Sequence, residues 1–346
     1  MTDSIQSLKN EFGSRLLITA HHYQRSEIVA LADIIGDSYK MAVEAGRSRA
    51  EYIVVCGVRF MAESAAILAK EKQKILLPDI SAGCPMADMI DLDTAEEILK
   101  TVRDLTGKPV VPVTYMNSWA DLKALTGEEG GSICTSGNAR KIIAHYLAEG
   151  KPVLFMPDFN LGMNTANELG LKGDEIRTIR KNGTLTDKGN PTEAKIFLFD
   201  GYCRVHKVFT PADIAAAREA IPGVRVLVHP ECTPETVSLA DAAGSTEAMF
   251  REIRDAPDGA IFAIGTEARF IDRMIDKYPT KKITHLRMSF CQNMNRIDLN
   301  NLLTTLKAIK RHEQSGEKLE YITVSPEERL YAASALNAMV RITEAP

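Results

Sequence analysis

The sequence predicts an α/β protein of three related lobes, each a three-layer unit built on a parallel sheet, in a pseudo-threefold triangular arrangement about a shared centre. Three observations predict it. Short apolar runs alternate with amphipathic stretches along most of the 346 residues, the pattern of parallel strands joined by helical crossovers. Segments of three kinds each recur three times. Finally, residues 30–41 (ALADIIGDSYKM) and 239–249 (LADAAGSTEAM) share Leu-Ala-Asp, then Gly, a hydroxyl residue and Met at equal offsets.

The first kind of segment is a β-rich run ending in polar residues: 16–23 (LLITAHHY), 110–117 (VVPVTYMN) and 224–232 (VRVLVHPEC). The second is a strand, a small or glycine turn and a helix, at 54–68 (VVCGVRFMAESAAIL), 133–147 (ICTSGNARKIIAHYL) and 261–275 (IFAIGTEARFIDRMI). The third is an apolar run leading to a cysteine: 75–80 before Cys84, 196–199 before Cys203, and 283–290 before Cys291. A smaller echo, Gly-Lys-Pro-Val at 107–110 and 150–153, opens a strand twice and reads equally well as turn chemistry.

These repeats divide the chain. Residues 1–98 form a first lobe carrying Cys84, and 99–195 a second, with a polar surface excursion over 164–195 that holds one short helix. Residues 196–298 form a third lobe, with Cys203 at its entry and Cys291 at its end. Residues 299–346 supply C-terminal helices that pack back on the lobes. An amphipathic run at 299–309 and a charged linker at 311–320 precede the last helix. That helix opens on Ser325-Pro326-Glu327-Glu328, an N-cap, a first-turn proline and early acids.

Composition narrows the function. The chain is 45% hydrophobic and 25% charged with a net charge of −4, so it offers no basic field for nucleic acid or an anionic membrane. No apolar stretch approaches the ~20 residues of a membrane span. Six irregularly spaced cysteines, without a basic-then-apolar leader, lead us to expect a cytoplasmic protein.

Cys84, Cys203 and Cys291 lie far apart in the chain, and no Cys-x-x-Cys clip exists. Three thiolates converging from three strand ends suit an iron–sulfur cluster that keeps one iron open to substrate. Zinc suits them less, because structural zinc favours short paired spacings and a closed fourth ligand. Cys56, inside an apolar strand, reads as core. Cys134 and Cys232 fall near the same centre but share a lobe with a better-placed ligand. Cys232, with His229 as base, is alternatively legible as a thiol nucleophile.

Polar residues gather where α/β folds place function, beyond the carboxyl ends of strands. They are His21-His22-Tyr23, Tyr115-Met116-Asn117 and His229-Pro230-Glu231. One such triplet reads as packing; three at equivalent places read as groups for proton transfer on a carbonyl or imine. Ser38, Ser136 and Thr246 each stand near a glycine at a helix start. Singly each is an ordinary cap; together they suggest an anionic small molecule with more than one acidic group. Neither a Walker motif nor Gly-x-Gly-x-x-Gly is present.

Segments over nearly the whole chain carry a resemblance: AHHYQ from Ala20, GDSYKMA from Gly36, CGVRFMAE from Cys56, LPDISAGCPMAD from Leu77, TYMNSWADLKA from Thr114, CTSGNA from Cys134, MPDFNLG from Met156, DGYCRVH from Asp200, HPECTPE from His229, ADAAGST from Ala240, IGTE from Ile264 and CQNM from Cys291. Together they resemble the quinolinate synthase family. The resemblance implies a 4Fe–4S cluster at the centre of the three lobes, bound by Cys84, Cys203 and Cys291 with one iron open. It implies condensation of iminoaspartate with dihydroxyacetone phosphate to quinolinate, a step of NAD biosynthesis. L-aspartate oxidase or aspartate dehydrogenase would supply the imine.

The same resemblance implies catalytic roles for His21, Tyr23, Tyr115, His229 and Glu231. It implies substrate binding by His21, Ser38, Tyr115, Asn117, Ser136, His206, His229, Glu231, Ser245 and Thr246. The chain departs from the family's usual pattern at Phe199-Asp200, at Gln292 and in the length of the 164–195 stretch. Three other readings are a reductive dehydroxylase with a similar cluster, a zinc-dependent aldolase-like lyase and a non-enzymatic cluster sensor. The first would need electron donors. The second would be colourless, and the third would need a contact surface that the acidic exterior does not suggest.

Overall fold

Strands of 2 to 6 residues, mostly apolar, form where the chain can bury a run between helices. A computed structural model describes residues 1–186 and 188–345. The first sheet comprises β1 (Leu16–His21), β2 (Ile34–Gly36), β3 (Tyr52–Cys56) and β4 (Lys74–Leu76), in the order β2-β1-β3-β4. The second comprises β5 (Val111–Tyr115), β6 (Ser132–Cys134), β7 (Val153–Met156), β8 (Ile176–Ile179) and β9 (Ile196–Phe199), in the order β6-β5-β7-β9-β8. The third comprises β10 (Arg225–Val228), β11 (Ala242–Ala243), β12 (Ile261–Gly265) and β13 (Lys282–His285), in the order β11-β10-β12-β13. Every ladder between these strands is parallel. Apart from β8, the three sheets have one strand order, so the three α/β lobes expected from the repeats are present.

The repeat extends to single atoms. Ile18 and Asp33 exchange two hydrogen bonds: Ile18 N–H to Asp33 Oδ2 and Asp33 N–H to the Ile18 carbonyl, each 2.8 Å. Val226 and Asp241 repeat the pair at 2.7 and 2.9 Å. The aspartate of the shared Leu-Ala-Asp motif thus locks the strand to the segment leading into its edge neighbour in two lobes.

The chain packs as two compact units. One holds Met1–Cys84, Glu267–Arg273 and Phe290–Ser325, and so contains the first sheet. Its core includes Ile18, Tyr52, Ile53 and Val54, all buried. The helix Leu299–Ser315 returns to the helix Thr2–Phe12, with Lys310 Nζ 2.8 Å from Glu11 Oε2 and Arg15 paired with Glu313.

The other unit holds Pro85–Thr266, Met274–Ser289 and the chain from Pro326 onward, and so contains the second and third sheets. Ile98, Leu99 and Val102 of the helix Leu92–Thr106 pack on Leu154, Phe197 and Phe199. Full burial of one such phenylalanine is worth roughly 2–3 kcal/mol. The last helix, Pro326–Glu344, crosses the helix Ala120–Glu128 so closely that a Cβ on Gly127 would collide with the Tyr331 carbonyl.

Four sequence expectations change. β9 pairs with β7 and β8, so Ile196–Phe199 completes the second sheet, and the expected boundary at 195/196 falls within it. The 164–195 stretch also carries β8, whose burial alternates along an edge of the sheet. Only Ile179 of its apolar pair is fully buried, too little for a sustained period in sequence. The segment from Ile133 is not the counterpart of β3 and β12: β6 is an edge strand, and β7 holds the interior place. A local strand-turn-helix pattern cannot distinguish the two. Gly107 and Gly150, at φ 63° and 73°, precede the neighbouring strands β5 and β7, so the Gly-Lys-Pro-Val echo is turn chemistry. Among the described residues, no helix is long and apolar enough to cross a membrane.

Candidate active site

In the second unit, several strands end at one place. β5 ends on Tyr115, β10 runs into His229 and Glu231, β12 into Thr266, and the loop after β9 carries Cys203 and His206. Asn164, on the helix Phe159–Glu168, fixes the loop after β10 by donating to the carbonyls of Pro230 at 2.8 Å and Cys232 at 2.9 Å. Glu231 and His206 are each 2% exposed, and His206 Nδ1 lies 2.5 Å from Glu231 Oε2. Tyr115 also hydrogen-bonds the Glu231 carboxyl. His206 Nε2 is 3.0 Å from Thr266 Oγ1. The His229 ring stacks on His206 with centroids 4.1 Å apart and planes 13° from parallel.

Electrostatics assign the protons. Burial alone would raise the Glu231 carboxyl, but the His206 and His229 imidazoles and hydrogen bonds from His206 and Tyr115 outweigh it, holding the group down at about 2. Glu231 is therefore an anion and accepts only, so His206 Nδ1 is the donor. Burial, with His206 beside it, lowers His229 to about 3 against an opposing pull from Glu231. His229 is neutral, and its Nδ1 accepts the Glu231 N–H at 3.3 Å. Its proton sits on Nε2. The Cys203 sulfur, a His206 ring nitrogen and a Glu231 oxygen lie within 4.8 Å of one another, so a half-buried thiol stands beside the imidazole–carboxylate pair.

Other expected site residues of this unit stand in the loops after β5, β6 and β11. Asn117 is half-buried just beyond β5. Ser136 belongs to a turn closed by Thr135 N–H to Asn138 Oδ1 at 2.6 Å. A Cβ on Gly137 of that turn would stand 3.4 Å from Ser245 Oγ, so the loops after β6 and β11 meet. Ser245 caps the helix Thr246–Asp255 through Ala248 N–H at 3.3 Å, and Thr246 beside it is buried. The caps are thus Ser245 here and Asp37 in the first lobe, not Thr246 and Ser38.

The first unit carries His21, Tyr23 and Ser38. His21 Nδ1 accepts Tyr23 N–H at 3.1 Å, and the two rings meet edge-on at 4.6 Å. Ser38 is half-buried at the start of the helix Ser38–Arg47. His22, between them, is tied to Arg273, which donates to its carbonyl at 2.8 Å and to its Nδ1 at 3.2 Å.

The six cysteines separate into two groups. Cys56, Cys134 and Cys232 are buried; Cys84, Cys203 and Cys291 are half-buried. Burial pushes the Cys56 thiol up to about 12 and the other two buried thiols well above their usual range. Burial thus disfavours the thiolate, the form a metal requires, at Cys56, Cys134 and Cys232. Sequence reasoning missed Thr266, Asn164, Asp158 and Glu267. Asp158 and Glu267 accept the backbone N–H of Cys203 at 3.1 Å and of Cys291 at 3.2 Å. Asp158, Thr266 and Glu267 fall within segments that carried the family resemblance, and Asn164 lies two residues beyond one.

Parallel lobes that collect a buried imidazole–carboxylate pair, a phenol and an accessible thiol at their strand ends define an α/β enzyme of acid–base chemistry. The profile of the quinolinate synthetase A protein family matches residues 3–341. A quinolinate synthase of Listeria monocytogenes is 42% identical over 347 residues, covering 99% of this chain and 94% of that protein. That of Bacillus subtilis is 41% identical over 348 residues, covering 99% and 93%, and that of Streptomyces coelicolor 43% over 350 residues, covering 97% and 87%. The chain belongs to the quinolinate synthase family.

Proposed function

We propose that this chain condenses iminoaspartate with dihydroxyacetone phosphate to form quinolinate, releasing phosphate and two waters without net redox. The observation that carries the reading is the ionised, buried Glu231, held between His206 and Tyr115. A carboxylate so placed can take a proton from an imine nitrogen or adjacent carbon, and the Tyr115 hydroxyl can return one. Tyr23 would move protons on the triose-derived carbons. Neutral His229, donating from Nε2, and His21 with the same backbone bond would orient substrate carboxylates. Ser38, Ser136, Ser245 and Thr246 would bind phosphate or carboxylate, with Asn117 and His206 completing the set.

Cys84, Cys203 and Cys291 would hold a 4Fe–4S cluster, an assignment supported by their being the three half-buried thiols. When bound, such a cluster with one open iron supplies Lewis acidity for the dehydrations. Six cysteines, none in a disulfide, suit a cytoplasmic enzyme supplied with imine by an L-aspartate oxidase or aspartate dehydrogenase.

The test is an anaerobic assay of the iron- and sulfide-reconstituted protein with both substrates and no reductant. Quinolinate and stoichiometric phosphate are expected. A fully loaded protein that makes neither overturns the reading; turnover only with an electron donor would favour reductive dehydroxylation. An active, colourless zinc protein would favour an aldolase-like lyase.

A further inference from the structure

We propose that Asp158 and Glu267 are positioning residues for two of the cluster's cysteines, a proposal that rests on the cluster reading above. β7 and β12 hold the same place in their sheets, beside the strands β9 and β13 that lead to Cys203 and Cys291. Asp158 follows β7 and Glu267 follows β12, so each acid stands one strand from the cysteine loop it addresses. Asp158 Oδ2 accepts Cys203 N–H at 3.1 Å, and Glu267 Oε1 accepts Cys291 N–H at 3.2 Å.

Both acids are wholly buried, and each spends its second oxygen on the helix that follows. Asp158 Oδ1 accepts Leu161 N–H at 2.7 Å, and Glu267 Oε2 accepts Arg269 N–H at 2.8 Å. Each carboxyl therefore ties a helix start to the main chain of a cysteine. Aspartate and glutamate differ by a methylene, yet both make this bond, which points to the bond itself as the feature maintained.

The first lobe achieves a related result with backbone alone. Val58 follows β3, and Arg59 N–H donates to the carbonyl of Ala82, two residues before Cys84, at 2.8 Å. The second lobe repeats that link, Phe159 N–H to the carbonyl of Gly201, two residues before Cys203, also at 2.8 Å. A Cβ on Gly201 would collide with the Pro157 carbonyl, so the approach of the two loops is tight. Fixing the main chain at a ligand before metal arrives is how outer-shell groups raise metal retention.

The experiment reconstitutes variants anaerobically with iron and sulfide, then measures iron per chain and the EPR spectrum of the reduced cluster. Asp158→Ala and Glu267→Ala should fold, by circular dichroism, yet retain less than half the iron of the parent protein. Asp158→Asn and Glu267→Gln keep one acceptor oxygen for two backbone N–H groups and should retain iron between that of the alanine variants and the parent. Should an alanine variant fail to fold, Asp158→Val (which copies Val58) or Glu267→Met takes its place, with the same loss expected. Folded acceptor-free variants with full iron and an unchanged spectrum overturn the proposal. Cys291→Ser runs alongside: full iron in that variant would sink the cluster reading instead.

Discussion

His21 and His229 make the same hydrogen bond: each Nδ1 accepts the backbone N–H two residues further on, from Tyr23 at 3.1 Å and from Glu231 at 3.3 Å. The bond fixes both imidazoles with the proton on Nε2, provided the ring is neutral. It also turns each following side chain in a set direction. A duplicated strand end has thus been given a phenol in one lobe and a carboxylate in another, on one backbone design.

Replacing Glu231 by Gln should leave fold and iron content unchanged and slow turnover by about 10²–10⁴-fold, the range of a lost general acid–base group. Because the carboxyl sits at about 2, the parent enzyme should show no acid limb from Glu231 between pH 5 and 8. Near-parental turnover in the Gln variant would remove the proton role.

His229 makes stability depend on pH. Its pKa falls from the usual 6.5 to about 3 on folding, so the unfolded chain binds the extra proton in that interval. Stability is whole above about 6.5 and declines as pH falls towards 3, by at most about 1.4 kcal/mol per pH unit. Urea titrations of the apoprotein across that window should show a shallower slope for His229→Asn than for the parent; equal slopes would refute the assignment.

Thiol chemistry should divide the cysteines as burial does. In the native apoprotein a maleimide should label Cys84, Cys203 and Cys291 quickly, and Cys56, Cys134 and Cys232 only after unfolding. Iron and sulfide loading should protect the first three. Peptide mapping by mass spectrometry reads the result, and rapid native labelling at Cys134 would contradict it.

Gly127→Ala drives a methyl group into the Tyr331 carbonyl of the last helix. We expect about 1–3 kcal/mol of destabilisation from overpacking, seen as a lower Tm. Gly130→Ala meets open space but adopts φ 71°, costing about 1 kcal/mol for the left-handed backbone. If Gly127→Ala is the milder of the two, the close helix crossing is wrong.

Much of the candidate site could be read before folding because strand ends are visible in sequence. Apolar runs stop, and His21, Tyr115, His229 and Glu231 stand just past the stop. Caps were harder: Asp37 and Ser245 do the capping, one residue before the hydroxyls that drew attention, since a cap is defined by where its backbone leaves the helix. Edge strands were hardest. β8 buries only alternate residues and β6 has only three, all buried, so neither imprints a period.

By itself, then, the order of residues determined the lobes, their parallel sheets and the chemical character of each strand end, because burial and turn geometry act over a few neighbouring positions. Tertiary structure alone decided that β9 closes the second sheet, that His206 meets Glu231, and that Asp158 and Glu267 hold cysteine amides. Those partners lie on different strands, and only the packing of one strand beside another sets which side chain reaches across.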